Sequence, residues 1–172
     1  MTSILKVDNI KDTSDNQAIS ITNGVATFTN NIVTPTRPTF YAANLNGTTF
    51  NGGTLSGPDT SGYGYSNGSM SYNSSSGELT VPIAGLYMIS FGILVTPNSG
   101  RCEAAVARQP SGGSYGYILY ADANGTSTYD TCGGSITFVL NANDKLKVTR
   151  QTGTAYAYAH PSHFINVAYI GV

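Results

Sequence analysis

The 172-residue chain is predicted to be all-β, a sandwich or jelly roll of short antiparallel strands, on three observations. Short apolar runs recur with turn signals between them. Thr, Ser, Asn and Gly abound while Leu, Glu, Lys and Arg are scarce, a composition that favours pleated surfaces over helices. The 20 Gly and 7 Pro punctuate the runs, and no segment reads as a helix. The length is that of one main domain with a short appendage.

The appendage comes first. Ala18-Ile19-Ser20-Ile21 and Val25-Ala26-Thr27-Phe28 flank Asn23-Gly24, a dipeptide that supplies the positive φ angles of a tight hairpin turn. A lone hairpin is marginal in water, so residues 1–36 are expected to lie against sister subunits or a larger assembly, with Ile4, Val7, Ile10, Ile19, Ile21, Val25 and Phe28 as the attachment residues. Thr34-Pro35-Thr36-Arg37-Pro38 has two prolines and no apolar periodicity, which marks a boundary between 1–36 and 37–172.

Beyond it, strands are expected at Phe40–Leu45, Met70–Tyr72, Glu78–Val81, Leu86–Val95, Cys102–Ala107, Tyr115–Ala121, Ile136–Leu140, Lys145–Thr149 and Phe164–Val172. Residues 46–69 are so rich in Gly, Ser and Thr that they read as a long surface loop with at most one short strand. Leu86–Val95 is apolar on both faces. Tyr87, Ile89, Phe91, Ile93 and Val95 alternate with Leu86, Met88 and Leu94, and small Ser90 and Gly92 complete the second row. Phe164, Ala168, Ile170 and Val172 alternate in the same way with Ile165, Val167 and Tyr169. A two-layer sandwich covers one face of each sheet, so the second face calls for a partner subunit, or for cover from the long loop or the N-terminal hairpin. Leu86, Met88, Ile89, Phe91, Leu94, Phe164, Ala168 and Ile170 are therefore the candidate interface or core residues.

The order of these segments resembles the C1q-like domain of the C1q and tumour necrosis factor superfamily over residues 37–172. Arg37-Pro38-Thr39-Phe40-Tyr41-Ala42 is similar to that family's opening strand. Tyr72-Asn73, the Gly77 turn, Leu79-Thr80-Val81-Pro82 and Gly85-Leu86-Tyr87 resemble its central phrase. Ser135–Leu140 with Asn143-Asp144-Lys145-Leu146-Lys147-Val148, and Ser162–Val172, are similar to its later strands, although Asn143 and Asn166 stand where Gly is usual. The resemblance implies a C1q/TNF-like jelly-roll sandwich of about ten strands that forms a homotrimer. No Gly-X-Y repeat precedes it, which argues against a collagen-stalked protein. Ile4–Asp12 followed by the Asn23-Gly24 hairpin instead resembles the start of tailed-phage fibre and appendage proteins.

The chemistry-bearing residues suggest no enzyme. The C1q-like resemblance implies that Asp122, Asp130 and Asp144 could meet at one end of the sandwich and hold calcium, but that ion needs six to eight oxygens and no metal or cofactor is expected. Cys102 and Cys132 form no metal or redox motif; they read as small core or loop residues, and a bridge depends on their Cα atoms coming within about 7 Å. His160 and His163 flank Pro161 and are expected to be exposed turn residues. With 10% charged residues and a net charge of -1, the chain lacks the electrostatic footprint for nucleic acid. No export signal is read in Met-Thr-Ser-Ile-Leu-Lys, and no run approaches the roughly 20 apolar residues of a membrane span.

Tyr63, Tyr65, Tyr115, Tyr117, Tyr156 and Tyr158 sit among Gly, Ser and Asn, the setting of an adaptable recognition surface, and are the candidate glycan or receptor contacts. Filling the rims of the sandwich and the subunit interface is the other role open to them. The expected function is a virion structural protein of a tailed phage: a trimeric tail fibre, receptor-binding knob, head fibre or capsid decoration that meets other virion proteins through residues 1–36. The alternative is a soluble, extracellular C1q-like lectin or receptor ligand of cellular origin.

Overall fold

In the computed structural model the chain divides into two compact units, Met1–Thr36 and Arg37–Val172. The structure describes the backbone of three strands in the first unit, and residues 37–62, 64–126 and 128–171 in the second. Ile4, Val7, Tyr63 and Val172 lie outside the described residues.

The first unit contains β1 (Asn9–Lys11), β2 (Gln17–Thr22) and β3 (Val25–Phe28) in an antiparallel sheet of that order. Thr22 stands opposite Val25, the register expected of the hairpin. β1 is an addition to that expectation, and at three residues it is too short to leave a periodic signal. Ile10, Ile19, Ile21, Val25 and Phe28 fall on these strands.

The second unit is a sandwich of ten antiparallel strands and one short helix. In order these are β4 (Thr39–Ala42), α1 (Gly47–Asn51), β5 (Tyr65–Asn67), β6 (Ser71–Asn73), β7 (Glu78–Thr80), β8 (Gly85–Val95), β9 (Gly100–Gln109), β10 (Gly116–Gly125), β11 (Asp130–Leu140), β12 (Lys145–Thr152) and β13 (Phe164–Gly171). One sheet runs β10-β9-β12-β7-β6 and the other β11-β8-β13-β4-β5. Neighbours distant in sequence, such as β13 between β8 and β4, give the crossed connections of a jelly roll. No helix among the described residues is long and apolar enough to cross a membrane.

The core follows from alternation. Tyr87, Ile89, Phe91, Ile93 and Val95 all point inward from β8 and are buried. Cys102, Ala104 and Val106 of β9 and Leu146 and Val148 of β12 enter the same core from the other sheet. Cys102 of β9 and Cys132 of β11 are both buried free thiols, and Cys132 Sγ donates to the Ala121 carbonyl at 3.3 Å. The neighbouring Cys102 thiol, with burial, pushes the Cys132 pKa up.

Three local features depart from the sequence reading. Residues 46–69 are not wholly a surface loop: α1 starts where the Asn46 side chain accepts the Thr48 N–H at 2.9 Å, and it buries Phe50, with Leu55 buried shortly after. β11 begins at Asp130 rather than Ile136, because Gly133 and Gly134 continue the ladder against Gly92 and Phe91 instead of turning. β10 likewise runs on to Gly125. Gly77 turns as expected, at φ 69°, where a Cβ would stand 2.2 Å from the Leu55 carbonyl oxygen.

Among the described residues one ion pair has a fully buried carboxylate. Asp144 is inaccessible, and its Oδ2 accepts from Arg108 Nε at 2.7 Å and from the Asn141 N–H at 2.8 Å, closing the turn between β11 and β12. Ile89→Ala should lower the unfolding free energy by about 2–5 kcal/mol, seen as a lower denaturant midpoint. Arg108→Ala, which leaves Asp144 buried without its cation, should lower it by about 3–5 kcal/mol in the same assay.

Candidate functional site

Residues opposite one another in an antiparallel ladder share a face, so the register lays out the outer surface of the sheet β11-β8-β13-β4-β5 row by row. At one end Val139 faces Leu86, beside Ile170, which occupies the register break between Tyr169 and Gly171. The next row is Thr137, Met88, Ala168, Thr39 and Asn67. Ser135, Ser90, Asn166, Tyr41 and Tyr65 follow, with Asn166 Nδ2 donating to Ser90 Oγ at 3.4 Å. Gly133, Gly92 and Phe164 come next, then Thr131 and Leu94.

No charged side chain stands in any of these rows. Met88 is 40%, Ile170 44% and Val139 63% exposed, so the apolar end has no cover within its own unit. The middle is small and polar. Phe164 lies over Gly92, where a Cβ would stand 2.4 Å from its Cε1, and stacks obliquely on Tyr41 with centroids 6.3 Å apart.

The other sheet carries the charge. Arg101 pairs with Glu103 and with Asp122, the latter at 3.2 Å. Lys145 approaches Glu78 at 3.5 Å, Tyr115 donates its hydroxyl to Glu78, and Lys147 sits 3.9 Å above the Tyr115 ring. The Tyr115 hydrogen bond holds the Glu78 carboxyl below its ordinary range. Asp130 accepts from the Thr131 N–H, so Asp122, Asp130 and Asp144 each have a separate partner. Among the described residues no three His, Cys, Asp or Glu side chains gather as a metal would need.

Arg37 enters the second unit beside the end of β13, where the Pro38 carbonyl accepts from the Tyr169 N–H. The opposite end is built from the segments after β4, after β8, before β11 and before β13, and gathers aromatic rings. Tyr156 is central: its centroid lies 5.9 Å from Tyr129, 5.6 Å from Tyr158, 5.8 Å from His160 and 6.5 Å from His163. Tyr129, Tyr156, His160 and Leu94 line a cavity of about 380 Å3 that continues the uncharged sheet face. Tyr158 points elsewhere, into a second cavity of about 300 Å3 shared with Asn44, Asn46, Thr48, Pro58 and Thr60. A third, of about 400 Å3, is lined by Phe40, Tyr41, Tyr65, Tyr72 and Asp59. The Asp59 carboxylate is held against burial by Ser61 and by the Ala43 N–H at 2.8 Å, and its pKa is lowered.

His163 is not the exposed turn residue expected from sequence. It is fully buried, with Nδ1 3.1 Å from the Leu45 carbonyl oxygen and Nε2 3.5 Å from that of Leu94. The close fit extends to Gly47, where a Cβ would stand 1.6 Å from the Tyr156 carbonyl oxygen. The proline turn carries the ring inward before β13 begins, an orientation that spacing alone does not encode.

The structure separates the candidate interface residues into two sets. Ile89 and Phe91 are core, whereas Leu86, Met88, Leu94, Phe164, Ala168 and Ile170 lie on the outer face. Of the candidate contact tyrosines, Tyr65 is on β5, Tyr156 and Tyr158 are at the loop end, and Tyr117 is exposed on the charged sheet beside Tyr120. Tyr115 is engaged by Glu78 and Lys147. Val139, Tyr41, Asn166, Tyr129 and Asn44 were missed; Val139 was legible as the alternate position to Phe138, and the others required the register or the loop packing.

No family model and no curated protein matches the chain. Among solved structures it is similar to the Eiger TNF of S. frugiperda, with TM-score 0.59 and 14% identity over 80% of this chain and 94% of that one. Murine APRIL at pH 5.0 gives TM-score 0.59 and 12% identity over 78% and 99% of the two chains. Murine APRIL at pH 8.0 gives 0.56 and 13% over 78% and 98%. At these identities the likeness is one of fold: the sandwich is a TNF-like jelly roll.

Burial holds the pKa of His163 below the ordinary imidazole range, against the two carbonyl contacts and with help from His160. An unfolded histidine protonates near pH 6.5 and the folded one only at lower pH. Stability is therefore full above about pH 6.5 and falls as the pH drops below it, because the unfolded chain then binds more protons. The thermal midpoint should fall between pH 7 and pH 5, a window in which Asp59 and Glu78 stay ionised. His163→Gln should be less stable at pH 7 and show a shallower fall.

Proposed function

We propose that this chain is a non-catalytic, self-associating module, a homotrimer formed through the outer face of the sheet β11-β8-β13-β4-β5, and that it serves as an appendage of a tailed-phage virion. The observation that carries the association is the partition of charge: one sheet face has no charged side chain and exposes Met88, Val139 and Ile170, while the charged groups cluster around the other sheet. Apolar surface of this kind gains roughly 25 cal/mol per Å2 on burial, and an uncharged face can meet copies of itself without opposing like charges. Three copies is the number that the C1q-like resemblance implies.

The virion role is supported by the opening Ile4–Asp12, which resembles phage appendage proteins, and by the separate compact unit Met1–Thr36. A unit of that size is below the roughly 40 residues at which domains usually stand alone, so it suits attachment to other virion proteins. Ile10, Ile19, Ile21, Val25 and Phe28 are the attachment residues in this reading, with Ile4 and Val7. The loop end, opposite the point where Arg37 enters the module, is then placed to meet a host surface. The second reading, an extracellular ligand of cellular origin, is favoured by the fold likeness to an Eiger TNF and to APRIL.

Light scattering of the purified chain at micromolar concentration should give three times the chain mass; a monomer would overturn the association. Met88→Lys with Ile170→Lys should shift the protein to monomer, whereas Tyr117→Lys, on the charged sheet, should leave the trimer intact. Antibody labelling of intact particles should place the protein on the virion, and absence of label from purified particles would favour the cellular reading.

A further inference from the structure

We propose that the cavity formed by Asn44, Asn46, Thr48, Thr60 and Tyr158 at the loop end is a binding site for a neutral sugar ring, a proposal that deepens the surface-recognition part of the reading above. Among the described residues no charged side chain lines this cavity, so a charged ligand would find no counter-charge from them. What it offers is amides, hydroxyls and one aromatic face. At about 300 Å3 it is at the small end of ligand pockets, suited to one ring rather than to an extended chain.

The polar groups are arranged with capacity to spare. Thr48 Oγ1 donates to the Ala157 carbonyl at 2.6 Å and Thr60 Oγ1 to the Asn44 carbonyl at 3.0 Å, so both hydroxyl oxygens remain acceptors. Asn46 Oδ1 accepts from the Thr48 N–H, which leaves its Nδ2 group to donate. Asn44 Oδ1 is buried with no donor, which is unfavourable for a buried acceptor. Asn44 is also held at φ 54°, the left-handed region, by the loop around it. A sugar hydroxyl both donates and accepts, which is the chemistry this set lacks and can answer.

Tyr158 supplies the other half of sugar recognition. Its ring is 71% exposed and braced edge-on against Tyr156, a fixed apolar face against which the C–H side of a pyranose can lie. The walls are tied together before any ligand arrives: Asn46 bridges to Ser56 and to Ala159, and the Thr48 N–H donates to the Ala157 carbonyl at 3.0 Å. Little ordering is then left to oppose binding. The neighbouring cavity at Tyr72 differs in kind, since Asp59 lines it and that carboxylate is already engaged.

The test uses the full chain and the methyl glycosides of glucose, galactose, mannose and N-acetylglucosamine, titrated by ligand-observed NMR. At least one should bind saturably. Tyr158→Ala should weaken it about tenfold, as should Asn44→Gly, which keeps the positive φ and removes only the amide. Tyr120→Ala, on β10 of the charged sheet, should leave it unchanged. No binding by any of these glycosides, or binding indifferent to both site variants, would overturn the proposal. Light scattering on the same samples separates it from the association reading: a trimer that binds no sugar fails here alone, and a monomer that binds sugar fails there alone.

Discussion

Everything in the jelly roll depends on the two-residue alternation of β8. It pairs along its length with β11 and along most of it with β13, so its inward row, Tyr87 to Val95, sets the register in which the inward rows of both neighbours enter the core. A slip of one residue would turn Ile89 and Phe91 outward and Met88 and Leu94 inward. That slip is blocked by fit as well as by hydrophobicity. Gly92 is the one place on the outer row where the Phe164 ring can lie, and Gly85 leaves room for Tyr169, whose Cε2 would stand 2.4 Å from a Cβ there.

The same alternation creates the unmet surface. An inward row is satisfied by the second sheet, but the outer row of β8 is apolar too, and among the described residues nothing in the module covers its Met88 end. The charged residues are placed so as not to interfere. Arg101, Glu103, Asp122, Glu78, Lys145 and Lys147 neutralise one another around the other sheet, and the partly exposed Arg108 pairs with the buried Asp144 at a turn. A chain with so few charges has concentrated them away from one face, and this asymmetry links the packing of the monomer to its proposed assembly.

Polarity along the strands matters as much as polarity across them. Because Arg37 enters beside the end of β13, the loops after β4 and before β13 gather at the far end, together with the exposed rings of Tyr129 and Tyr158. Alternate tyrosines of one loop divide the work: Tyr156 turns toward Leu94 and the sheet face, Tyr158 toward the amides and hydroxyls of Asn44 and Thr60. In the proposed reading, attachment falls to Met1–Thr36, association to the uncharged sheet face and recognition to the loop end.

The sequence by itself determined the fold class, the hairpin and the two-faced character of β8 and β13, because each is written in local periodicity or in residues with a single conformational meaning. It also determined Gly77 and Asn143 as turn positions, both found at positive φ. Tertiary structure alone decided the rest. The Cys-Gly-Gly stretch of β11 reads as a turn until a neighbouring strand supplies its hydrogen bonds. The burial of His163 depends on two carbonyls, from Leu45 and Leu94, that lie far from it in the chain. The division of Tyr156 from Tyr158, and the unpaired amide of Asn44 beside Tyr158, arise where loops distant in sequence converge. Periodicity specifies which way a side chain points from its own strand, and only packing specifies what it meets.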